Sequence, residues 1–449
     1  MKPGIFVLSL GCPRNLVDSE ILLGSLKEHG FRILNEPKKG SVAIVNTCGF
    51  IEDAKRESID IILELLALKK EGKVSRIILA GCLSQRYPKE LLKEIREIDG
   101  LFGTNTFIDI PKNLPRIIRG EKIISVDKNP SFLYSHNMPR FLLSPRHSAY
   151  VKIQEGCMNF CSYCAIPKIR GSFRSRSEES VLKEITHLKS QGAKEINIVG
   201  QDTTLYGIDR YGVSKTASLL KKAALIMKRG WVRLLYTHPA HYTDELIKVV
   251  KEEPSVCKYL DLPIQHISDN ILNSMNRKVT KKGINDLIEK LRKEIPGVAI
   301  RTSILVGFPG ETEKEFGELE SFIRKIKFDR LGVFIYSREE GTTAYDFPDQ
   351  VPAKEKKIRF DRIMKIQERI SRKTNEMFLR RTIKVLIEEK IKSDKDDTFR
   401  HIGRSEYDAP EVDGNVYVDS EKKLKRGQFV KVLINDSLEH DLVGKAQNF

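Results

Sequence analysis

Nine apolar runs of strand character, alternating with runs of helical character, fill the first 336 residues. Three fall within the first 100: IFVLSL precedes a helix expected over residues 16–29, VAIVN precedes IEDAKRESIDIILELLALKK, and RIILA precedes YPKELLKEIREI. Strands that alternate with helices build parallel sheets with helices packed on them. From about Ala149 six more runs follow: AYVKI, EINIVG, VRLLY, YLDLP, AIRTSILV and LGVFIY. Helical segments such as EESVLKEITHLKSQ and INDLIEKLRKEI lie between them. Six such units predict a barrel or part of one, with its chemistry in the loops after the strands. Residues 130–147, rich in Pro, Ser and Arg, read as a linker between the two series.

After the second series the pattern changes. Residues 354–381 carry 11 basic and 4 acidic side chains and read as a long solvated helix. The last 70 residues then hold TIKVLIEEKI, GNVYVDS and QFVKVLIND, divided by Gly, Asp and Lys turns. That is the pattern of a small antiparallel barrel. A chain of 449 residues exceeds one ordinary core. The expected fold is therefore α/β in three parts: an N-terminal three-layer parallel-sheet domain (1–130), a linker (131–147), a central partial (βα)6 barrel (148–378), and a small antiparallel β-barrel (379–449).

A formal charge of +17 raises the question of nucleic acid. Its distribution weakens that reading, because residues 380–449 hold 14 basic and 14 acidic side chains. No run reaches the roughly 18 to 20 apolar residues of a membrane span, and the N-terminus shows no secretory signal. A cytoplasmic location is expected. Thiols stay reduced there, so the seven cysteines point to metal or catalytic chemistry rather than disulfides.

Three cysteines end the three N-terminal strands, in LSLGC (Cys12), VNTCG (Cys48) and LAGC (Cys82). The carboxyl ends of parallel strands share one edge, where ligands of such folds bind, so the three thiols are expected to converge. The plainer alternative is three small buried hydrophobes. Two of the three follow a glycine, which lets backbone approach closely. A second trio, Cys157, Cys161 and Cys164, lies in EGCMNFCSYCAIPKIRG after the first strand of the second series. Soft sulfur ligands select zinc, copper or iron-sulfur centres. A structural zinc site wants a fourth ligand, and no Cys or His stands near this triplet in sequence. Cys257, in PSVCKYL, has no partner in either trio and reads as a small core residue.

The C-x3-C-x2-C spacing at the mouth of a barrel strand resembles the signature of the radical S-adenosylmethionine (SAM) enzymes, whose six-unit partial barrel matches the six strands counted above. The resemblance implies that Cys157, Cys161 and Cys164 ligate a 4Fe-4S cluster whose open iron binds SAM. One electron would then cleave the sulfonium to a 5'-deoxyadenosyl radical. It also implies SAM contacts from Tyr163, from Gln201 in VGQDTT, and from Gly307, Gly310 and Glu311 in GFPGE.

The whole chain, with a three-cysteine domain before the barrel and a small barrel after it, resembles the methylthiotransferases. In that family Cys12, Cys48 and Cys82 would hold a second 4Fe-4S cluster carrying the sulfur to be inserted. Two SAM molecules would be used per product, and the last barrel would be the family's TRAM domain, which recognises the substrate. SLGCPRNLVDSE, GQDTTLYG and LDLPIQHIS resemble the protein-modifying branch, which places a methylthio group on the β-carbon of an aspartate in the twelfth small-subunit ribosomal protein. A neutral final domain with the acidic run SDKDD suits a basic ribosomal protein better than RNA. The enzyme is expected to act as a monomer with unidentified sulfur and electron donors. The alternatives are a transfer-RNA adenosine methylthiotransferase, a non-catalytic metal protein, and a radical SAM enzyme whose second cluster only transfers electrons.

Overall fold

The computed structural model describes residues 2–392 and 399–447; the acidic run at 393–397 lies outside them. The N-terminal part runs β1 (Ile5–Ser9), α1 (Pro13–Glu28), β2 (Ile33–Leu34), β3 (Ser41–Thr47), α2 (Glu52–Lys70), β4 (Val74–Gly81), α3 (Cys82–Arg86), α4 (Pro88–Glu94), β5 (Gly100–Phe102), α5 (Ile110–Ile118) and β6 (Ile123–Ser125). Its strands pair in the order β2-β1-β3-β4-β5-β6, all parallel. The period-two alternation of a strand sends side chains to opposite faces. Val42, Ile44 and Ile78 meet Leu22 and Leu26 of α1 and Leu114 and Ile117 of α5. Ala43, Val45, Ile77 and Leu79 meet Ile62 and Leu65 of α2 and Leu91 of α4. Three layers result. Sequence patterning shows only β1, β3 and β4, because β2, β5 and β6 are two or three residues long and carry no period.

The central part runs β7 (Ser148–Lys152), β8 (Gln154–Glu155), α6 (Ile166–Arg170), β9 (Arg174–Ser175), α7 (Glu178–Ser190), β10 (Glu195–Val199), α8 (Ile208–Tyr211), α9 (Thr216–Met227), β11 (Trp231–Leu234), α10 (Asp244–Glu252), β12 (Tyr259–Asp261), α11 (Asp269–Ser274), α12 (Lys281–Glu294), β13 (Ala299–Val306), α13 (Glu313–Ile326), β14 (Arg330–Ile335) and α14 (Ala353–Glu376). Six parallel strands form two triplets, β7-β10-β11 and β12-β13-β14. Ile196, Ile198, Val232, Leu234, Ile300 and Ile304 face the helices. Tyr150, Trp231, Tyr259 and Ala299 belong to a separate cluster shared with both flanking domains.

Two segments differ from expectation. Residues 128–147 hold no regular element, yet Tyr134 is buried. Arg140 bridges Glu20 of α1 at 2.6 Å and Glu184 of α7 at 2.5 Å. The linker is a pinned strap. The basic helix α14 is not wholly solvated either: Ile363, Ile366 and Ile370 are buried in the central core.

The C-terminal part is a closed barrel of β15 (Thr382–Ile391), β16 (Phe399–Ser405), β17 (Val416–Ser420), β18 (Phe429–Ser437) and β19 (Leu442–Ala446), in the order β15-β16-β17-β19-β18. Its pairings are antiparallel except β17 with β19, which is parallel. The barrel docks on the starts of the central strands. Glu195, the first residue of β10, accepts from Arg233 and Arg404, all three buried. Arg330, the first of β14, pairs with Asp408 at 2.6 Å, and Tyr259, the first of β12, donates to Asp413. The loops that follow the strands lie at the other end, about 17 Å away for a five-residue strand. A barrel expected to recognise substrate thus sits at the far end from the cysteines. Among the described residues no helix is long and apolar enough to cross a membrane.

Candidate active site

The three N-terminal cysteines occupy one sheet edge: Cys12 is the N-cap of α1, Cys48 follows β3, and Cys82 opens α3 directly after β4. Glycine is required there. Gly11 has φ +84°, and a methyl group at that position would lie 2.8 Å from Cys48 Sγ. Gly81, at φ +91°, packs on the backbone of Thr47, and a methyl there would come within 2.7 Å of its carbonyl oxygen. Left-handed backbone and such close approach both exclude a Cβ. Asn15 gathers the edge by donating to Leu10 O (2.7 Å) and Asn46 O (3.1 Å).

Electrostatics distinguish the three thiols. Burial alone would raise Cys12, but the Arg14 and Arg170 guanidiniums outweigh it and hold Cys12 below the usual thiol range. A helix N-terminus favours a thiolate in the same direction. Cys48 is pushed up to about 12 by burial and then by Cys82. Cys82 is raised by burial and by Cys12, despite Arg170. Cys48 feels the charge of both Cys82 and Cys12, and Cys82 that of Cys12, as thiols gathered at one sheet edge must.

The second trio lies on the loop between β8 and α6, tied down from three sides. Asn159 donates to Asp202 (2.6 Å), Asn276 donates to Phe160 O (2.9 Å), and Ser162 N donates to Met275 O (3.0 Å). Phe160 takes φ +48° in this loop. Arg277 donates to Cys161 Sγ at 3.7 Å. Burial raises Cys157 to about 11 and Cys164 to about 12.

The two trios meet across the domain boundary. Cys82 packs against Ala165 and Ile169, next to Cys164. Arg170 donates to Cys82 Sγ at 3.5 Å and to Asp18 at 2.6 Å. Lys152, wholly buried, bonds both Asp18 and Glu155, so one buried charge network joins α1 to the central barrel. Arg14 donates to Cys12 Sγ (3.5 Å) and to Gly200 O (3.1 Å), the residue before Gln201.

The other residues singled out in sequence gather at the same end. Tyr163 stands edge-on to Phe308 with ring centroids 6.5 Å apart. Gly307 and Gly310 adopt φ +74° and +80°. Glu311 is turned into its own loop: it accepts from the backbone N–H of Gly307 (2.8 Å) and Phe308 (3.3 Å) and pairs with Arg359 of α14 (2.9 Å). Gln201 Oε1 is buried without a partner among the described residues. Cys257 is buried in the cluster shared by the three domains, apart from both trios.

Sequence reasoning missed Arg14, Arg277, Asp202, His238 and His241. Asp202, His238 and His241 could surround a cation, with their donor atoms within 4.8 Å. Both Asp202 oxygens are committed, however, one to Thr204 and the other to Asn159 and His241. His238 Nε2 is buried and unpartnered. A strand-end histidine before proline, in YTHPAHYT, was the available signal.

Comparison with known proteins follows this division of the chain. The Radical SAM superfamily matches residues 151–323, the Uncharacterized protein family UPF0004 residues 4–103, and the TRAM domain residues 381–446. Among solved structures, the radical SAM methyltransferase TsrM from Kitasatospora setae superposes with TM-score 0.54 at 14% identity, over 76% of this chain and 77% of that one. The cobalamin-dependent radical enzyme OxsB gives 0.52 at 13%, over 82% and 56%. At these identities the likeness is one of fold. The ribosomal protein uS12 methylthiotransferase RimO of Desulforamulus reducens is 48% identical over 99% of both chains, and that of Geobacter sulfurreducens 44% over 99% and 98%. With its two cysteine trios, its central barrel and its closed C-terminal barrel, the chain belongs to the RimO family of ribosomal protein uS12 methylthiotransferases.

Proposed function

We propose that this protein places a methylthio group on the β-carbon of an aspartate in ribosomal protein uS12. The observation that carries the reading is the packing of one three-thiol site on the segment that carries the other, from two domains, through Cys82 on Ala165 and Ile169 and through Arg170 and Arg14. Each site offers three soft ligands, which suits a 4Fe-4S cluster with one open iron. Cys157, Cys161 and Cys164 would hold one, and Cys12, Cys48 and Cys82 the other. The unpartnered Gln201 Oε1 and His238 Nε2 are the buried polar atoms that a bound SAM would satisfy. When bound, the clusters and SAM supply the electron, the hydrogen-abstracting agent, the sulfur and the methyl group.

The residues of the chain do the positioning. Tyr163 offers an aromatic wall beside the third cysteine. Gly310 has open space beside it, Gly307 packs against the Lys356 side chain, and Glu311 fixes that turn by accepting from its backbone N–H groups. Arg277 and Arg170 each direct an N–H at a cysteine sulfur and balance its negative charge. The enzyme works as a cytoplasmic monomer and takes sulfur and electrons from donors outside the chain.

Anaerobic reconstitution with iron and sulfide, followed by SAM and uS12, tests the reading. About eight irons per chain, falling to about four when Cys12, Cys48 and Cys82 are all changed to Ala, is the expected result. Mass spectrometry should show one methylthio group on uS12 with the wild type and none with the triple variant. About four irons in both samples, or modification of transfer RNA in place of uS12, would overturn it.

A further inference from the structure

Resting on that reading, a substrate aspartate must bring its carboxylate between the two cysteine trios, and a buried carboxylate needs a cationic partner. Among the described residues three guanidiniums, those of Arg14, Arg170 and Arg277, donate to a cysteine sulfur. Arg170 is buried against Asp18 and Glu155. Arg277 is buried, donating to Pro263 O and Cys161 Sγ. Arg14 differs. It is partly buried, has no carboxylate partner among the described residues, and donates through Nε and one Nη1 hydrogen, which leaves Nη2 and the second Nη1 hydrogen for a ligand. It bonds Cys12 Sγ of one trio at 3.5 Å and Gly200 O of the central barrel at 3.1 Å, and its charge is felt by Cys157 and Cys164 of the other trio.

A second observation marks the same spot. The Arg14 guanidinium lies 4.4 Å from the centroid of the Tyr236 ring, and Tyr236 takes φ +58°. A left-handed conformation is costly for a bulky residue and persists only where its surroundings impose it. Here Tyr236 N donates to Asp261 (2.8 Å) and Tyr236 O accepts from Thr203 N (2.9 Å). Asp261 is held in turn by Arg301, which also pairs with Asp413 of the C-terminal barrel. Strained backbone thus sets an aromatic platform under the Arg14 guanidinium.

We propose that Arg14, braced on Tyr236, binds the side-chain carboxylate of the target aspartate and sets its β-carbon between the two cluster sites. A guanidinium presents paired donors that match a carboxylate and not a neutral amide. Stacking on Tyr236 fixes the plane of that fork. The same contact selects aspartate over asparagine, because the amide NH2 would point a donor at a donor.

The test uses reconstituted wild type, Arg14→Met and Arg14→Lys, with activities normalised to iron per chain, and uS12 bearing either its native target aspartate or Asn there. Wild type should bind the aspartate form about 10- to 100-fold more tightly than the Asn form, as a charged hydrogen bond requires. Arg14→Met should bring the two affinities together, and Arg14→Lys, which keeps the charge and loses the fork, should fall between. A variant that loads iron, methylthiolates uS12 and still prefers the aspartate form as wild type does would overturn the role of Arg14 alone. No methylthiolation by wild type would overturn the functional reading, and this inference with it.

Discussion

The two cysteine trios reach similar ends by opposite routes. Cys157, Cys161 and Cys164 sit within eight residues of one loop, so local chain geometry nearly suffices. Cys12, Cys48 and Cys82 come from three strand ends and meet only if the sheet pairs in register. Their electrostatics differ as well: Arg14 and Arg170 hold Cys12 down, whereas burial dominates Cys157 and Cys164. A site assembled by a fold can be broken far from its ligands, and a site on a loop is broken chiefly at its anchors.

The largest effect is expected where both trios share a support. Arg170→Met would leave Asp18, Glu155 and Lys152 as a buried network with excess negative charge. Removing one partner of a buried ion pair costs about 3–5 kcal/mol, so urea denaturation should show a loss of that size together with reduced iron at both sites. A loss under 1 kcal/mol would mean that the network is solvated and does not join the domains.

Next in size are two substitutions that separate the trios. Gly11→Ala forces a Cβ against Cys48 at φ +84°, at a cost of about 1–3 kcal/mol. Iron should fall from about eight to about four per chain, with the barrel cluster retained. Asn159→Ala is the mirror case, removing the 2.6 Å tie between the cysteine loop and Asp202. It should cost about 1–3 kcal/mol and lower iron at the loop site while leaving the sheet-edge site loaded. Matching losses at both sites in either variant would show that the two do not load independently.

The same contrast explains what was legible in the sequence. The strand-helix period exposed the parallel sheet and the six barrel strands, because β3, β10 and β13 are long enough to show their burial pattern. Both trios were legible from spacing and from their place after strands. Residues that act through tertiary contact left no such trace. Arg14 lies two positions from Cys12, where a basic residue in a first helical turn has no pattern of its own. Its stacking on Tyr236 and its bond to Gly200 join positions far apart in the chain. The engagement of Glu311 with Arg359 depends on α14 folding back over the turn, a contact that GFPGE alone does not carry. The acid-base contacts between Arg140, Glu20 and Glu184 likewise turned an apparent linker into a strap.

The smallest effect, and the finest probe of the difference, is the order in which apo thiols react. A thiolate is the nucleophile, so alkylation follows the ionised fraction. Cys12 is held below the usual thiol range by Arg14 and Arg170, so its ionised fraction exceeds that of Cys48, Cys157 and Cys164 at any pH below their range. Cys48 and Cys164, near 12, and Cys157, near 11, lose about tenfold in ionised fraction for each pH unit below those values. Timed labelling of the metal-free protein with iodoacetamide at pH 7.5, read by peptide mass spectrometry, should modify Cys12 before Cys48, Cys157 and Cys164. Raising the pH should speed the latter three more steeply than Cys12, since Cys12 completes its ionisation first. Arg14→Met should slow Cys12 and leave the order of the others as it was. Labelling of Cys48 ahead of Cys12 would show that the two guanidiniums do not control the sheet-edge site. Because ligation needs the thiolate, the expected order also makes Cys12 the point from which that site begins to take up iron.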